Sequence, residues 1–458
     1  MRKPKKNKNE ALDNLISQKK IAGSDCPHFE ECGGCYMRQI SYEDQLDVKS
    51  GALKELFEPV LGEKFEKIYE GIFASPEETG YRNKMEFSFG DMDKEGPLTL
   101  GLHKRGSFYD ILPVPECRIV DEDFRLILSS TLEFFREKRL SYFHKRTHRG
   151  YLRHLIVRKA VFTGEILVDL VTGEDYSIKG DPYAETVERP VQPEGEMLEE
   201  YAKLLCGLSF TGKLCGVLRT RNTSVADAVI DEGTEIIYGE SYFYEKLLDL
   251  KFKITPFSFF QTNSKGAEVL YGKAREYLLS TCENENGLGN VLYDLYSGTG
   301  TIAQIMSPAA GKVVGVEIVE EAVLAAKENA ALNGIENCSF LAGDVLKVID
   351  EVEEKPDCII LDPPRDGIHP KALPKIIDYG VDHILYIACK PKSLARDLPA
   401  FMEAGYEPVR MCAVDMFPGT QHVETVCLLS NRKPDTKVRI DLDMTDYYRI
   451  KDAKKSQN

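Results

Sequence analysis

Three features of the 458-residue sequence predict an α/β protein whose doubly wound, mostly parallel sheet follows an antiparallel β domain. After about residue 250, short apolar runs (NVLYDL, GKVVGVEI, CSFLAG, DCIILD, HILYIA and TVCLLS) alternate with helical stretches. Between 81 and 250, runs of alternating polarity are separated by Gly, Pro and Asp turns. Ahead of both lies a compact cysteine cluster, CPHFEECGGC, at 26–35.

The length exceeds one average core and implies two or three domains. No apolar run reaches the roughly 18 residues that span a bilayer, and the start, MRKPKKNKNE, lacks the apolar core of a signal peptide. A cytoplasmic protein without membrane contact is therefore expected. Twelve cysteines in that setting argue against a disulfide framework and leave metal binding or catalysis for any special thiol. The net charge of −15 argues against a nucleic-acid binder until its distribution is read. Acidic residues concentrate in VQPEGEMLEE and EVEEKPD, whereas basic residues sit with aromatics in YRNK (81–84), LHKRGSFY (102–109) and YFHKRTHRGYLRH (142–154). Such a stripe can hold phosphates on an acidic protein, and a solvated charged face explains any single cluster equally well.

In chain order, residues 1–24 are Lys-rich and polar and are expected to be a disordered tail. Residues 25–80 hold the cysteine segment and a helical pattern from about Tyr42 to Phe57. Residues 81–250 carry KMEFSFG, PLTLGLH, HLIVRKAVF, EILVDLVT, GVLRTRN and EIIYGESYFY as antiparallel strands of an RNA-binding domain. Residues 251–458 form the α/β domain, in which EEAVLAAKENAALNG is a helix closed by Asn333-Gly334.

In doubly wound sheets ligands sit beyond the carboxyl ends of the strands. The first such end is DLYSGTGTIA, where Gly298 and Gly300 permit a tight turn and a following helix offers free N–H groups. The next strand ends at Glu317, where a carboxylate can accept both ribose hydroxyls of an adenosine-bearing cofactor. Asp344 ends the third strand and could meet the adenine edge, or simply cap the next helix. LDPPR places Asp362 in a rigid, extended loop that can present a carboxylate to a planar substrate. Arg365 stands where amino-methyltransferases of bases usually have an aromatic residue, which disfavours an exocyclic amine target. Cys389 ends the fifth strand, with Lys390, Lys392 and Arg396 nearby to favour a thiolate. Glu424, just before the last strand, could serve as a base facing the same pocket.

A cysteine nucleophile and a carboxylate beside an adenosine cofactor suit one problem. The C5 carbon of uracil is a poor nucleophile. Adding a thiolate at C6 makes C5 enolate-like, so that it accepts a methyl group, and a base then removes the C5 proton and expels the cysteine. On FSFFQTN, DLYSGTGTIA, GVEIVEEAV, LDPPRDG, YIACKPKSLARDL and DMFPGTQHVE, the chain closely resembles the RNA uracil-C5 methyltransferases. The resemblance implies a Rossmann-like S-adenosylmethionine-dependent methyltransferase domain, with Cys389 as nucleophile and Glu424 as base. It further implies that Gln261, Tyr296, Glu317, Asp344 and Asp362 bind S-adenosylmethionine. One departure is Ala388-Cys389-Lys390-Pro391, where the family often has Ser-Cys-Asn-Pro.

The ribosomal branch of that family carries a 4Fe-4S cluster. By this resemblance Cys26, Cys32 and Cys35 are ligands, with Cys117 the fourth. Four thiolates suit zinc equally on chemical grounds. The cluster favours 23S ribosomal RNA over transfer RNA as partner, and no obligate protein partner is implied. About twenty-five residues precede Cys26, too few for the small RNA-binding β-barrel with which many ribosomal members begin. The competing readings are an amino-methyltransferase using DPPR and a metal-stabilised RNA-binding adaptor without catalysis. Only C5 methylation needs Cys389 and Glu424 together.

Overall fold

The computed structural model describes residues 10–94, 96–180, 188–281, 291–348 and 355–432. The expected tail lies outside them up to residue 9, and its remainder departs from expectation, because Glu10–Ser17 forms a helix, α1.

Helix α2 (Tyr42–Leu61) begins at Ser41, whose hydroxyl accepts the Asp44 N–H at 3.1 Å, with Glu43 and Asp44 favourably placed in the first turn. Its inward residues Gln45, Val48, Lys49, Leu53, Phe57 and Leu61 recur at helical spacing. After α3 (Lys64–Ile68) comes strand β1 (Tyr69–Phe73). These elements are not a separate unit. Their apolar face is built into the core of the carboxyl-terminal sheet with Leu394, Leu398 and Phe401.

The central region comprises β2 (Lys84–Gly90), β3 (Thr99–His103), β4 (Ile111–Pro113), α4 (Glu122–Glu137), β5 (Leu152–Lys159), β6 (Glu165–Thr172), α5 (Glu194–Cys206), β7 (Lys213–Arg221) and β8 (Thr234–Gly239). Its seven strands run in the order β4-β3-β2-β5-β6-β7-β8. The sheet is mixed rather than antiparallel as expected, because β6 and β7 pair in parallel. The alternation of polarity in GVLRTRN fixes a half-buried strand but not its direction. The α5 crossover supplies the length that a parallel return requires. Helices α4 and α5 meet through Phe134, Phe135 and Tyr201.

The hairpin β9 (Phe243–Leu247) and β10 (Leu250–Ile254) and helix α6 (Ser264–Leu279) lead into the last domain. There follow β11 (Val291–Leu295), α7 (Thr301–Met306), β12 (Lys312–Glu317), α8 (Glu320–Leu332), β13 (Cys338–Ala342), α9 (Val345–Val348), β14 (Cys358–Leu361), α10 (Ala372–Asp378), β15 (His383–Ala388), α11 (Pro391–Glu403), β16 (Tyr406–Val414) and β17 (Glu424–Asn431). The eight-stranded order is β1-β16-β17-β15-β14-β11-β12-β13. Strands β11 to β15 pair in parallel, and β17 is antiparallel to both β15 and β16. Chain order reverses between β11 and β14, which opens a crevice at their carboxyl ends. Among the described residues no helix is long and apolar enough to cross a membrane.

Candidate active site

The turn after β11 is held in place from several sides. Tyr296, a non-glycine residue, has φ 71°, a conformation that persists only where its surroundings impose it. Here the N–H groups of Tyr296 and Ser297 both donate to the Val316 carbonyl, at 2.9 and 3.0 Å. At Gly300 (φ 74°) a Cβ would stand 2.6 Å from the Phe340 ring, so the position requires glycine. The Glu317 carboxylate accepts the Gly298 and Val319 N–H groups, each at 3.0 Å, joining the turn to the end of β12. Asp294 accepts the Ala303 N–H at 2.9 Å, and burial pushes its carboxyl well above the usual range.

This turn forms one wall of a cavity of about 1250 Å³. Gln261, Tyr296, Glu317, Asp362, Cys389 and Glu424 all line it, although they come from six separate stretches of chain. The buried Ser297 hydroxyl also lies in this wall without a hydrogen-bond partner, which leaves a polar atom for a ligand to satisfy. A polar turn, a carboxylate at the second strand end and an apolar wall of Phe257, Phe259 and Ile318 fit an adenosine cofactor. Asp344 is the exception. It stands beside Tyr296 but outside the lining, and its carbonyl accepts the Lys347 and Val348 N–H groups at 2.8 and 3.0 Å, opening α9.

FSFFQTN organises the entry to α6. The Asn263 side chain accepts the Gly266 N–H at 2.9 Å as N-cap. The Gln261 side-chain amide donates to the Tyr271 hydroxyl at 3.2 Å, while the Gln261 backbone carbonyl accepts from the Asn83 side-chain amide at 2.9 Å. In the DPP loop the expected extended path holds only to Pro364, whose carbonyl accepts the Gly367 N–H at 2.7 Å and closes a turn that exposes Arg365.

Cys389, half-buried, directly follows β15, and Glu424, buried, begins the neighbouring β17. Burial first, then the charges of Glu424 and Asp362, push the Cys389 thiol up to about 11, while Arg365 opposes them. Burial and Asp362 push Glu424 up to about 8, again against Arg365, and burial pushes Asp362 up to about 7. The expectation that Lys390, Lys392 and Arg396 favour a thiolate is overturned. Arg396 is engaged by Asp397 at 2.7 Å, Lys390 lies 4.0 Å from Asp366, and none of the three is among the causes that act on Cys389. Arg365 takes that part. The sequence reading placed it in the loop without assigning it a charge role, and it missed Phe417, Tyr271 and Arg82 as lining residues. For Arg82 the signal was the basic YRNK cluster.

Cys26, Cys32 and Cys117 are buried and Cys35 is half-buried; all four are free thiols. Burial pushes Cys35 up to about 12, and the charges of Cys117, Cys32 and Cys26 also raise it, so the four sulfurs gather in one region. Arg105 ties the segment down by donating to the carbonyls of Phe29 and Cys35 at 2.9 and 2.8 Å. Even so, among the described residues no group of three or more His, Cys, Asp or Glu side chains is placed to hold a metal ion, contrary to expectation for this quartet. Burial pushes the thiols of Cys32, Cys35 and Cys117 up, and the segment is held by its backbone, as where the Cys32 N–H donates to the His28 carbonyl at 2.7 Å.

The basic stripes divide in the fold. Arg153 is buried and donates to the carbonyls of Asn222, Ser224 and Ala226, and Arg158 similarly holds the backbone at 255–258. By contrast Lys145, Arg146, Arg149 and Tyr109 line a second cavity, of about 930 Å³, in the central region. The Arg146 guanidinium lies 5.1 Å from the half-exposed Tyr109 ring.

Residues 231–432 match the family described as tRNA (Uracil-5-)-methyltransferase. The chain is 48% identical over 406 residues to an uncharacterized RNA methyltransferase of Caldanaerobacter subterraneus subsp. tengcongensis, covering 89% of this chain and 84% of the relative. It is 47% identical over 407 residues to one of Clostridium acetobutylicum, with coverage of 89% and 84%. Among solved structures, the Pyrococcus abyssi tRNA (uracil-54, C5)-methyltransferase in complex with S-adenosyl-L-homocysteine is similar with a TM-score of 0.66 at 26% identity, covering 87% of this chain and 86% of that one. The chain thus belongs to the RNA uracil-5 methyltransferase family and has the fold of an S-adenosylmethionine-dependent methyltransferase.

Proposed function

We propose that the protein methylates C5 of a uridine in RNA through a covalent bond between Cys389 Sγ and C6 of the base. The observation that carries this reading is that Cys389 and Glu424 open on the same cavity as the Gly298 turn and Glu317. Glu317 and Gln261 orient the cofactor, with Ser297 and Tyr296 completing that wall. When bound, S-adenosylmethionine supplies an electrophilic methyl group and a positive charge that draws neighbouring thiol and carboxyl pKa values down. Loss of the Cys389 proton to solvent, favoured by Arg365, gives the thiolate, which adds to C6 as C5 takes the methyl group; the S–CH3 bond breaks and the sulfonium would leave as a neutral thioether. Glu424 in its ionised form then accepts the C5 proton, the C5–C6 double bond re-forms and the Sγ–C6 bond breaks, returning the thiolate. Because Glu424 is pushed up to about 8, it is a stronger base than an exposed glutamate once ionised.

The central region is read as an RNA contact surface, with Arg146, Arg149 and Tyr109 offering cations and a stacking face. For the four cysteines the reading remains a 4Fe-4S cluster, supported by their convergence; no step of the reaction passes through it. The cluster reading favours 23S ribosomal RNA as substrate. Transfer RNA is the second reading, favoured by the similarity to a tRNA (uracil-54, C5)-methyltransferase. Mapping 5-methyluridine in both RNAs from cells with and without the protein decides between them. Loss confined to one class identifies the substrate, and loss from neither overturns the proposal.

A further inference from the structure

The segment 415–419, which presents Phe417 to the cavity and leads to Glu424, is fixed largely by groups distant in sequence. Lys49, inside α2, forms an ion pair with Asp415 at 2.6 Å, and neither side chain is more than 1% exposed. The Lys49 ammonium also donates to the Phe417 carbonyl at 3.2 Å, while Asp415 accepts the Phe417 N–H at 3.1 Å. One turn earlier on α2, the Gln45 side-chain oxygen accepts the Gly419 N–H at 2.7 Å. The Gly419 carbonyl accepts the N–H groups of Tyr36 and Met37, at 2.7 and 2.9 Å, immediately after Cys35. The Tyr81 hydroxyl donates to the Pro418 carbonyl at 3.0 Å, and Asn263 donates to the Met416 carbonyl at 3.0 Å. Polar groups at all five positions are thereby held, most of them by side chains distant in sequence.

This is more constraint than loop closure needs. A loop between antiparallel strands could satisfy its backbone with water, whereas a buried ion pair carries a desolvation cost that its attraction need not repay in stability. Proton removal, by contrast, depends on a base held within hydrogen-bond reach of one particular carbon-bound proton. We infer that Lys49 and Gln45 are positioning residues for the proton-removal step, with α2 setting the position of the 415–419 segment and through it the approach of Glu424 to the substrate. The inference rests on the reading in which Glu424 removes the C5 proton. It gives the amino-terminal helix a role in a reaction whose reacting groups all lie in the last domain.

The test uses the full-length protein, S-adenosylmethionine and a uridine-containing RNA substrate, and it follows formation and decay of the methylated covalent complex. Glu424→Gln is the reference for a blocked final step. Lys49→Met leaves Asp415 buried without its partner, so its fold is checked by circular dichroism. Gln45→Ala removes a neutral hydrogen bond and decides the matter if Lys49→Met does not fold. Both variants should bind S-adenosylmethionine and form the complex at the wild-type rate. Its decay should slow by tenfold or more in Lys49→Met and several-fold in Gln45→Ala, with Lys49→Arg restoring part of the rate. Decay at the wild-type rate in Gln45→Ala, while Glu424→Gln traps the complex, overturns the inference and spares the Glu424 reading. If Glu424→Gln traps nothing, both fall.

Discussion

Asp362 and Glu424 line one cavity, and the charge of the first reinforces burial in holding the second protonated, up to about pH 8. Burial and these carboxylates also push the Cys389 thiol up, and Arg365 opposes both shifts.

The first prediction concerns stability against pH. Glu424 has a folded pKa raised from 4.5 to about 8, so the native state binds one more proton than the unfolded chain between those values. Its contribution is full below about 4.5 and is lost as pH rises through about 8. Within that window Glu424 alone lowers stability by up to about 1.4 kcal/mol per pH unit. Denaturant unfolding at pH 5, 6, 7 and 8 should show a shallower decline in Glu424→Gln than in wild type. Parallel profiles would place the carboxyl in water.

A second prediction follows from the two hydrogen bonds that fix Glu317. Glu317→Ala should weaken S-adenosylmethionine binding by about 1–3 kcal/mol, since a charged acceptor is lost and the Gly298 turn is released. Glu317→Gln, which keeps an acceptor oxygen, should lose less. Calorimetry measures both, and an unchanged affinity in the alanine variant removes Glu317 from the site. Asp344→Ala should bind nearly as wild type, because Asp344 lies outside the cavity lining.

The cysteine quartet gives a third. Protein purified without oxygen should contain iron and sulfide, and Cys117→Ser should lose much of both. Stoichiometric zinc without visible absorbance selects the zinc alternative, and metal-free, folded protein removes both. Because the peptide after Cys35 binds Gly419, loss of the quartet's order should also slow turnover more than it weakens cofactor binding.

Much of this was legible in the sequence for a definite physical reason. Strands buried on both faces read as continuous apolar runs, so HILYIA and DCIILD located β15 and β14 and hence Cys389 and Asp362. Glycines with positive φ at 298 and 300 marked the cofactor turn. What escaped the reading depends on contacts distant in the chain. Strand β1 and helix α2 join a sheet whose other strands begin more than two hundred residues later, and nothing in EGIF announces that pairing. The parallel β6–β7 pair escaped because alternation carries no direction. The charges of Lys390, Lys392 and Arg396 were visible, but not that carboxylates at 366 and 397 occupy two of them.

The central claim is that Cys389 bonds to the base and Glu424 releases it. Its most direct measurement is mass spectrometry of denatured Glu424→Gln protein after incubation with RNA and S-adenosylmethionine. The account predicts a methylated nucleotide bound to the peptide containing Cys389, absent from the Cys389→Ala, Glu424→Gln double variant. A Cys389→Ala enzyme that methylates uridine at the wild-type rate, or an adduct on another residue, would contradict it.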